Sequence, residues 1–246
     1  MNIVVAMKQI PDLQQIRIRN RKPILDDVAL TFGNIDKNAL EAGVQLKEAT
    51  GNNLIVVSVG AEALEDTIKE ALAAGADEAY LVLNDEIADM ESANSARLIA
   101  GAIKKIDDVG IVIFGEGSGD NYSGQVGSRV AEIMGLPQVG YAKSININGN
   151  SATVTRSLED CEEVLEAEMP IVVSVMADIN EPRIPSVSQI LKAGRKPKEV
   201  LELDVTGDSM LATISNLAPD MQRKQIEIET IEKLLKILGN EGLLRR

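Results

Sequence analysis

The chain has 246 residues, of which 45% are hydrophobic and 26% charged, enough for one large domain with an appended segment. It contains no His, no Trp and one Cys, which excludes a Ser-His-Asp triad, a His-ligated zinc site and an internal disulfide. A net charge of −13 and 2% aromatic residues disfavour nucleic acid and anionic membranes as partners. We therefore expect no metal site and no catalytic side chain, and we assign any chemistry to a bound cofactor.

Apolar runs alternate with helical patterns through the first 135 residues. Strands are predicted at 2–7, 53–60, 78–83 and 110–115, and helices at 36–50, 61–74, 92–106 and 124–135, with Ser92 as an N-cap. A small hairpin is predicted at 16–25. Because continuous apolar strands are typical of sheets buried on both faces, the alternation predicts an α/β fold with an open, mostly parallel Rossmann-like sheet and helices on both faces.

The pattern changes in the second half of the chain. Asn148-Gly149 predicts the turn of an added antiparallel hairpin, and 171–178 predicts one more buried strand. The segment 199–246 predicts a short extended stretch and one helix at 228–238, which is too little to form a core alone. We therefore divide the chain into an α/β domain at 1–183 and a loop with an extended C-terminal arm at 184–246.

The acidic run LEDCEEVLEAEMP at 158–170 could be interpreted as paired catalytic carboxylates or as a solvated strand or loop. We favour the solvated segment, because nothing near it in the sequence resembles a metal partner. The surrounding carboxylates should raise the pKa of the Cys161 thiol and make it a poor nucleophile.

Nothing in the sequence indicates export or membrane insertion. The first residues predict a strand rather than a signal peptide, and no window approaches the length of a membrane span. The single cysteine is typical of a reducing compartment, so we expect a cytoplasmic protein.

A glycine-rich loop, FGEGSGD, follows the strand at 110–115 and leads to a helix that begins near 124–127. Glycines allow a ligand to approach the backbone, and the free N–H groups of a helix N-terminus bind phosphate without a lysine. Neither G-x-G-x-x-G after the first strand nor a P-loop is present, so the site would be of a different α/β type. A flexible turn is the alternative interpretation of this loop.

Residues 6–12 leave the first predicted strand at its carboxyl end, which should place them on the same rim of the sheet as 33–38, 58–61 and 115–127. We expect these four segments to converge on one ligand. The residues leave alternatives open at two positions: Lys8 as a solvated surface lysine, and Asp36 as a helix N-cap.

Four passages resemble the small (beta) subunit of electron transfer flavoproteins, and the resemblance runs from end to end of the chain. They are IVVAMKQIPD, NALEAGVQLKE, GEGSGDNYSGQVGSRVAEIMGLPQ and VTRSLEDCEEVLEAEMPIVVSVMADINEPRIPS. The last is the most specific, since it carries a basic residue, an acidic run, a proline before a strand and Asn-Glu-Pro-Arg at 180–183. Cys161 departs from the family, which usually has Gly or an acid there.

The resemblance implies a heterodimer whose large subunit carries the electron-transferring FAD and whose small subunit holds an adenine nucleotide. It also implies that 184–246 comprises a partner-docking loop, whose Val187 and Ile190 contact a partner dehydrogenase, and a C-terminal arm that packs on the large subunit. Leu13 is expected to lie near the large subunit's flavin. By position in the family's motifs, the expected nucleotide-binding residues are Ala6, Lys8, Asn34, Asp36, Val59, Gly60, Ala61, Gly115, Gly117, Ser118, Asp120, Ser123, Gly124, Gln125, Val126 and Gly127.

The nucleotide is AMP in ordinary members of the family and a second FAD in bifurcating ones. The Gln-Val-Gly sequence at 125–127 resembles the bifurcating type, so we expect FAD, with NADH as electron donor. Electrons would then reach a dehydrogenase acting on acyl-CoA or 2-hydroxy-acid substrates, and ferredoxin or flavodoxin. Two alternatives stay open: an ordinary subunit that binds AMP structurally, and a stand-alone adenine-nucleotide-binding module. Whether this electron-transfer subunit of an oxidoreductase complex is itself an enzyme also stays open.

Overall fold

The computed structural model describes residues 1–84, 90–203, 209–220 and 225–244. Its strands are β1 (Asn2–Pro11), β2 (Arg17–Arg19), β3 (Lys22–Ile24), β4 (Leu30–Phe32), β5 (Asn53–Gly60), β6 (Glu78–Leu83), β7 (Val109–Gly115), β8 (Gln138–Asn148), β9 (Ser151–Ser157), β10 (Glu162–Glu168), β11 (Ile171–Val175) and β12 (Lys198–Val200). Its helices are α1 (Asn34–Thr50), α2 (Leu64–Ala74), α3 (Ser92–Ile103), α4 (Val126–Met134), α5 (Val187–Ala193) and α6 (Ile231–Asn240).

The main sheet has the strand order β10-β9-β8-β11-β7-β1-β5-β6-β12, with β4 paired to the end of β1. In the part of this order that reads β8-β11-β7-β1-β5-β6-β12, each strand is parallel to its neighbours. The pairs of β9 with β8 and with β10 are antiparallel. The predicted α/β fold, with a mostly parallel sheet and an added antiparallel hairpin, is therefore confirmed. Because β5 and β7 flank β1 on opposite sides, the strand order reverses at β1, where ligands of open α/β sheets bind.

Alternate residues of β1 face two separate hydrophobic clusters. Ile3 and Val5 pack with the residues of α1 and α2, while Val4 and Ala6 pack with those of α3 and α4. All four are almost completely buried, which explains why β1 appears in the sequence as a continuous apolar run.

Several boundaries differ from those predicted. α2 begins at Leu64 rather than 61, α3 ends at Ile103 rather than 106, and α4 begins at Val126 rather than 124. Three further differences are explained by capping. α1 begins at Asn34, because Gly33 already has the extended backbone of an N-cap. The expected N-cap Ser92 is wrong: Glu91 holds that position with extended backbone angles, and Ser92 is the first helical residue. The last helix begins at Ile231 rather than at 228, because the Thr230 side chain accepts a hydrogen bond from the Lys233 N–H and caps it.

The acidic run forms β10, an edge strand whose side chains alternate between exposed and half-buried. Lys143 pairs with Glu162 at 2.9 Å, and Arg156 pairs with Glu163. The interpretation as a solvated strand is thus confirmed. Desolvation and a hydrogen bond with Asp160 raise the pKa of Cys161, in the expected direction.

Part of the predicted arm lies on the α/β domain. β12 adds to the sheet beside β6, and Ala193 of α5 is buried. α6 has no buried residue. The division of the chain at residue 183 stays a prediction. No helix in the described part of the chain has the length and apolar character needed to cross a membrane.

A forked ion pair precedes α5 and ties the chain to α1. The Arg183 guanidinium lies 2.7 Å from Glu41 and 2.6 Å from Glu48, and Glu41 is buried. Close to this ion pair, the side chains of Asn38 and Asn180 each donate a hydrogen bond to the backbone oxygen of the other residue. These contacts fix the base of the segment that leads into α5.

Replacing Gly43 by Ala should destabilise the fold. A Cβ at Gly43 would lie 2.8 Å from Val5 and 2.9 Å from Leu54, so α1 would have to move away from the sheet. We expect Gly43→Ala to lower the free energy of unfolding by about 1–3 kcal/mol in urea denaturation. In the control Gly194→Ala, the Cβ meets nothing within 4 Å and the change should be within about 0.5 kcal/mol. Equal stability of the two variants would contradict the close packing of α1.

Candidate functional site

A cavity of about 490 Å³ opens at the carboxyl ends of β1, β5 and β7, where the strand order reverses. Its volume lies in the range of small-molecule sites. The lining residues are Ala6, Met7, Lys8, Asp36, Val59, Met90, Glu91, Ser92, Ser95, Ile99, Phe114–Ser118, Asn121, Ser123–Ser128, Ser174 and Leu211–Thr213. The four segments that we expected to converge all reach this region.

Most of the expected ligand-binding residues meet at this cavity. Those that line it are Ala6, Lys8, Asp36, Val59, Gly115, Gly117, Ser118, Ser123, Gly124, Gln125, Val126 and Gly127. Asp120 does not line it but pairs with Lys8, which does. That these residues bind a ligand stays a prediction.

Besides Asp120, three expected binding residues lie outside the lining. Asn34 is exposed at the start of α1. Gly60 ends β5 and Ala61 follows it, and a Cβ on Gly60 would contact Leu64. Their assigned role stays a prediction.

The expected docking residues are exposed. Val187 is 75% exposed, and Ile190 and Leu13 are about half exposed. The Leu13 side chain lies close to Gly119, beside the cavity, whereas Val187 and Ile190 belong to α5. Exposure suits a docking role, which stays a prediction.

Sequence reasoning missed two groups of lining residues. Glu91, Ser92 and Ser95 come from the start of α3, whose polar sequence ESANS was a usable signal. Leu211–Thr213 come from the arm and follow no strand, so no local pattern places them at the cavity.

The glycine-rich loop is shaped by close contacts. A Cβ at Gly115 would lie 2.8 Å from Ile35, and one at Gly117 would lie 2.8 Å from the ring of Tyr122. Gly124 has a φ of +65°, in the left-handed region that favours glycine. The loop then delivers the first residues of α4 to the cavity, where helix N–H groups have no acceptor one turn earlier.

Asp36 is a buried carboxylate on the cavity wall. Its Oδ1 accepts a hydrogen bond from the Lys8 N–H at 3.0 Å, so it does not cap α1. Its Oδ2 has no hydrogen-bond partner among the described residues. Burial raises the pKa of Asp36 to about 7, although the hydrogen bond and the charge of Lys8 oppose this. The site thus contains a buried acceptor with one free oxygen.

Lys8 is the only lysine or arginine among the described lining residues, and its charge is already paired. Its Nζ lies 2.6 Å from Oδ2 of Asp120. Partial burial would raise the pKa of Asp120, but hydrogen bonds from Lys8 and Ser118 lower it on balance. An anion in the cavity would therefore depend mainly on backbone N–H groups. Within the described ranges, no group of three or more Cys, Asp or Glu residues could hold a metal ion.

The raised pKa of Asp36 predicts a pH dependence of stability. The folded chain binds this proton more tightly than the unfolded chain, whose carboxyl has a pKa near 3.8. Stability should therefore decline as pH rises from about 4 to about 7 and then level off. In the ligand-free protein at pH 8, we expect Asp36→Asn to raise the free energy of unfolding by about 1–4 kcal/mol. The exposed control Asp26→Asn should follow the wild-type curve, and parallel curves for all three proteins would contradict the assignment.

Comparison with known proteins identifies the family. Residues 24–206 match the electron transfer flavoprotein domain. The chain is 37% identical over 202 residues to an electron transfer flavoprotein subunit beta of Thermoanaerobacterium thermosaccharolyticum, covering 81% of this chain and 77% of the relative. It is 34% identical to the subunit beta of Megasphaera elsdenii, over 83% and 78% of the two chains. It is 32% identical to subunit CarD of the caffeyl-CoA reductase-Etf complex of Acetobacterium woodii, over 89% and 85%. The chain therefore belongs to the electron transfer flavoprotein family, with the beta subunits as its relatives.

Proposed function

We propose that this chain binds FAD in the cavity at the end of β1 and works as the small subunit of a heterodimer. In this function, electrons from NADH pass to a partner dehydrogenase and to ferredoxin or flavodoxin. The observation that carries the proposal is the glycine-lined cavity at the reversal of strand order, in a chain of a flavoprotein family.

The wall of the cavity suits a nucleoside. The free Oδ2 of Asp36 is buried, and an unpaired buried acceptor is unfavourable by about 1–3 kcal/mol. A ribose hydroxyl or an adenine amino group would supply the missing donor. The apolar side chains of Val59 and Ile99, which also line the cavity, would contact the flat face of a base.

The rim suits a phosphate or diphosphate. The first residues of α4 line the cavity, and N–H groups at a helix start favour negative charge. The Lys8–Asp120 pair adds little net charge but holds the glycine loop against the end of β1. In a chain of net charge −13, this arrangement binds an anion without a cluster of cations.

A flavin bound here would supply the redox chemistry, accepting a hydride from NADH and releasing its electrons to other centres. The protein would bind and orient it. Glycines let the loop backbone approach, the hydrogen bond from Lys8 to Asp36 fixes the cavity wall, and the residues around the opening limit access of water. No side chain need act as a base, which is compatible with the absence of His.

Two observations support partners for this chain. α6 exposes its apolar side chains, Ile231, Leu234 and Leu235 among them, as expected of a surface that a large subunit covers. The A. woodii relative is named as a subunit of a caffeyl-CoA reductase complex. We therefore favour a dehydrogenase acting on an acyl-CoA over one acting on a 2-hydroxy acid. Val187 and Ile190 of α5 are the proposed contacts with it.

The cofactor content of the complex tests this function. We expect the chain, co-expressed and purified with its large subunit, to release two FAD per heterodimer on denaturation, measured by HPLC. One FAD and one AMP would instead support an ordinary subunit with a structural nucleotide. A colourless homodimer holding ATP would support a stand-alone nucleotide-binding module and contradict the proposal.

A valine in place of Gly127 tests the location of the site. Gly127 lines the cavity, and a Cβ there would lie 3.3 Å from Phe114, which also lines it, so the larger valine side chain would crowd the cavity wall at the start of α4. We expect Gly127→Val to lower nucleotide content at least about tenfold, since a steric intrusion of this kind outweighs about 1.4 kcal/mol of binding energy. Glu132→Val places the same residue at an exposed position of the same helix and should retain full content. Full content in both variants would exclude this cavity as the site.

A further inference from the structure

Residues 209–218, here called the strap, cross the opening of the cavity. The chain before the strap packs on the α3 side, where Leu201 and Leu203 join the core cluster of that face. Leu211, Ala212 and Thr213 of the strap then line the cavity. The strap therefore forms part of the cavity wall, on the side that faces solvent.

Glu91 holds the first end of the strap. Its Oε2 accepts a hydrogen bond from the Met210 N–H at 2.7 Å. It also lies 3.1 Å from the Ser209 hydroxyl, whose single proton it shares with the Leu211 oxygen at 2.8 Å. The bond from Met210 is the main reason that the pKa of Glu91 lies below its usual value. Because Glu91 precedes α3, whose own core residues are buried, the carboxylate is attached to a rigid element.

The hairpin of β2 and β3 holds the other end. The Ala218 N–H donates to the Arg21 oxygen at 2.7 Å, and the Arg21 Nε donates to the Ala218 oxygen at 2.8 Å. The two anchor points lie on different elements of the fold, so the strap spans the space between them.

Within this chain, hydrogen bonds rather than burial keep the strap in place. Leu211 is 67% exposed and Ile214 is 99% exposed. A segment with few buried apolar contacts opens at a small free energy, without unfolding of the core. To open, the first end of the strap must break its hydrogen bonds with the Glu91 carboxylate.

We propose that the strap gates the exchange of the nucleotide and that Glu91 is the positioning residue that latches it. The proposal rests on the proposed nucleotide site. With the latch formed, Leu211–Thr213 obstruct the exit; with it broken, the far end stays attached at Ala218 and the strap swings as a lid. Because Glu91 also lines the cavity, hydrogen exchange of the strap without ligand is needed to assign its effect to the strap.

The test compares ligand exchange in the complex of the full chain with its large subunit. After release of the resident nucleotide, radiolabelled AMP and FAD are bound separately and chased with an excess of unlabelled ligand. We expect Glu91→Gln to accelerate dissociation about 3- to 10-fold, because two hydrogen bonds to a charged but exposed acceptor are weakened. The association rate should stay equal or rise. Ser209→Ala removes one of the two donors and should give a smaller acceleration. Glu132→Gln, an exposed carboxylate on the outer side of α4, should match the wild type.

Hydrogen exchange of the ligand-free complex supplies a second readout. We expect Glu91→Gln to increase exchange in 209–213 and to leave the β2–β3 hairpin unchanged. Unchanged exchange in 209–213 would overturn the latch, and so would unchanged dissociation, or slower association, in Glu91→Gln. If the wild-type complex binds neither AMP nor FAD in this cavity, the result contradicts both the proposed function and the proposed gate. If the wild type binds and Glu91→Gln exchanges at the same rate, only the gate fails.

Discussion

Burial of β1 between two parallel neighbours determines where the cavity and its lining residues lie. β5 pairs with one edge of β1 and β7 with the other. The helices that follow β1 and β7 pack on opposite faces of the sheet. A crevice must form where they separate. The residues that occupy this crevice, from Lys8 to Gly127, are far apart in sequence and come together only because the two pairings exist.

The crevice in turn explains the electrostatics of the site. Burial keeps the Asp36 carboxylate from water, while the end of β1 offers it only one backbone donor. The one lysine of the described lining is held by Asp120 on the opposite side. The site is therefore rich in backbone donors and poor in free cations. Such a site would recognise an anion by shape and direction more than by charge.

The sequence predicted the sheet, the hairpin and most of the cavity wall, because these depend on local patterns. Apolar runs such as 53–60 identify buried strands, and the glycines between 115 and 124 mark a loop that comes close to other backbone. The N-cap of α3 was misplaced by one residue, since Ser92 has the better capping propensity but Glu91 has the capping backbone. Leu211–Thr213 could not be predicted at all, because their position depends on hydrogen bonds to Glu91 and Arg21, more than a hundred residues away.

The forked pair of Arg183 with Glu41 and Glu48 has a consequence for recognition. It lies directly before a segment whose apolar side chains, Ile184 and Val187, point into solvent. A loose loop would lose conformational entropy each time another protein covered it. Here that entropy is already lost on folding, so a small apolar contact can form with useful strength and still separate quickly. Such preorganisation suits the docking role that we propose for Val187 and Ile190.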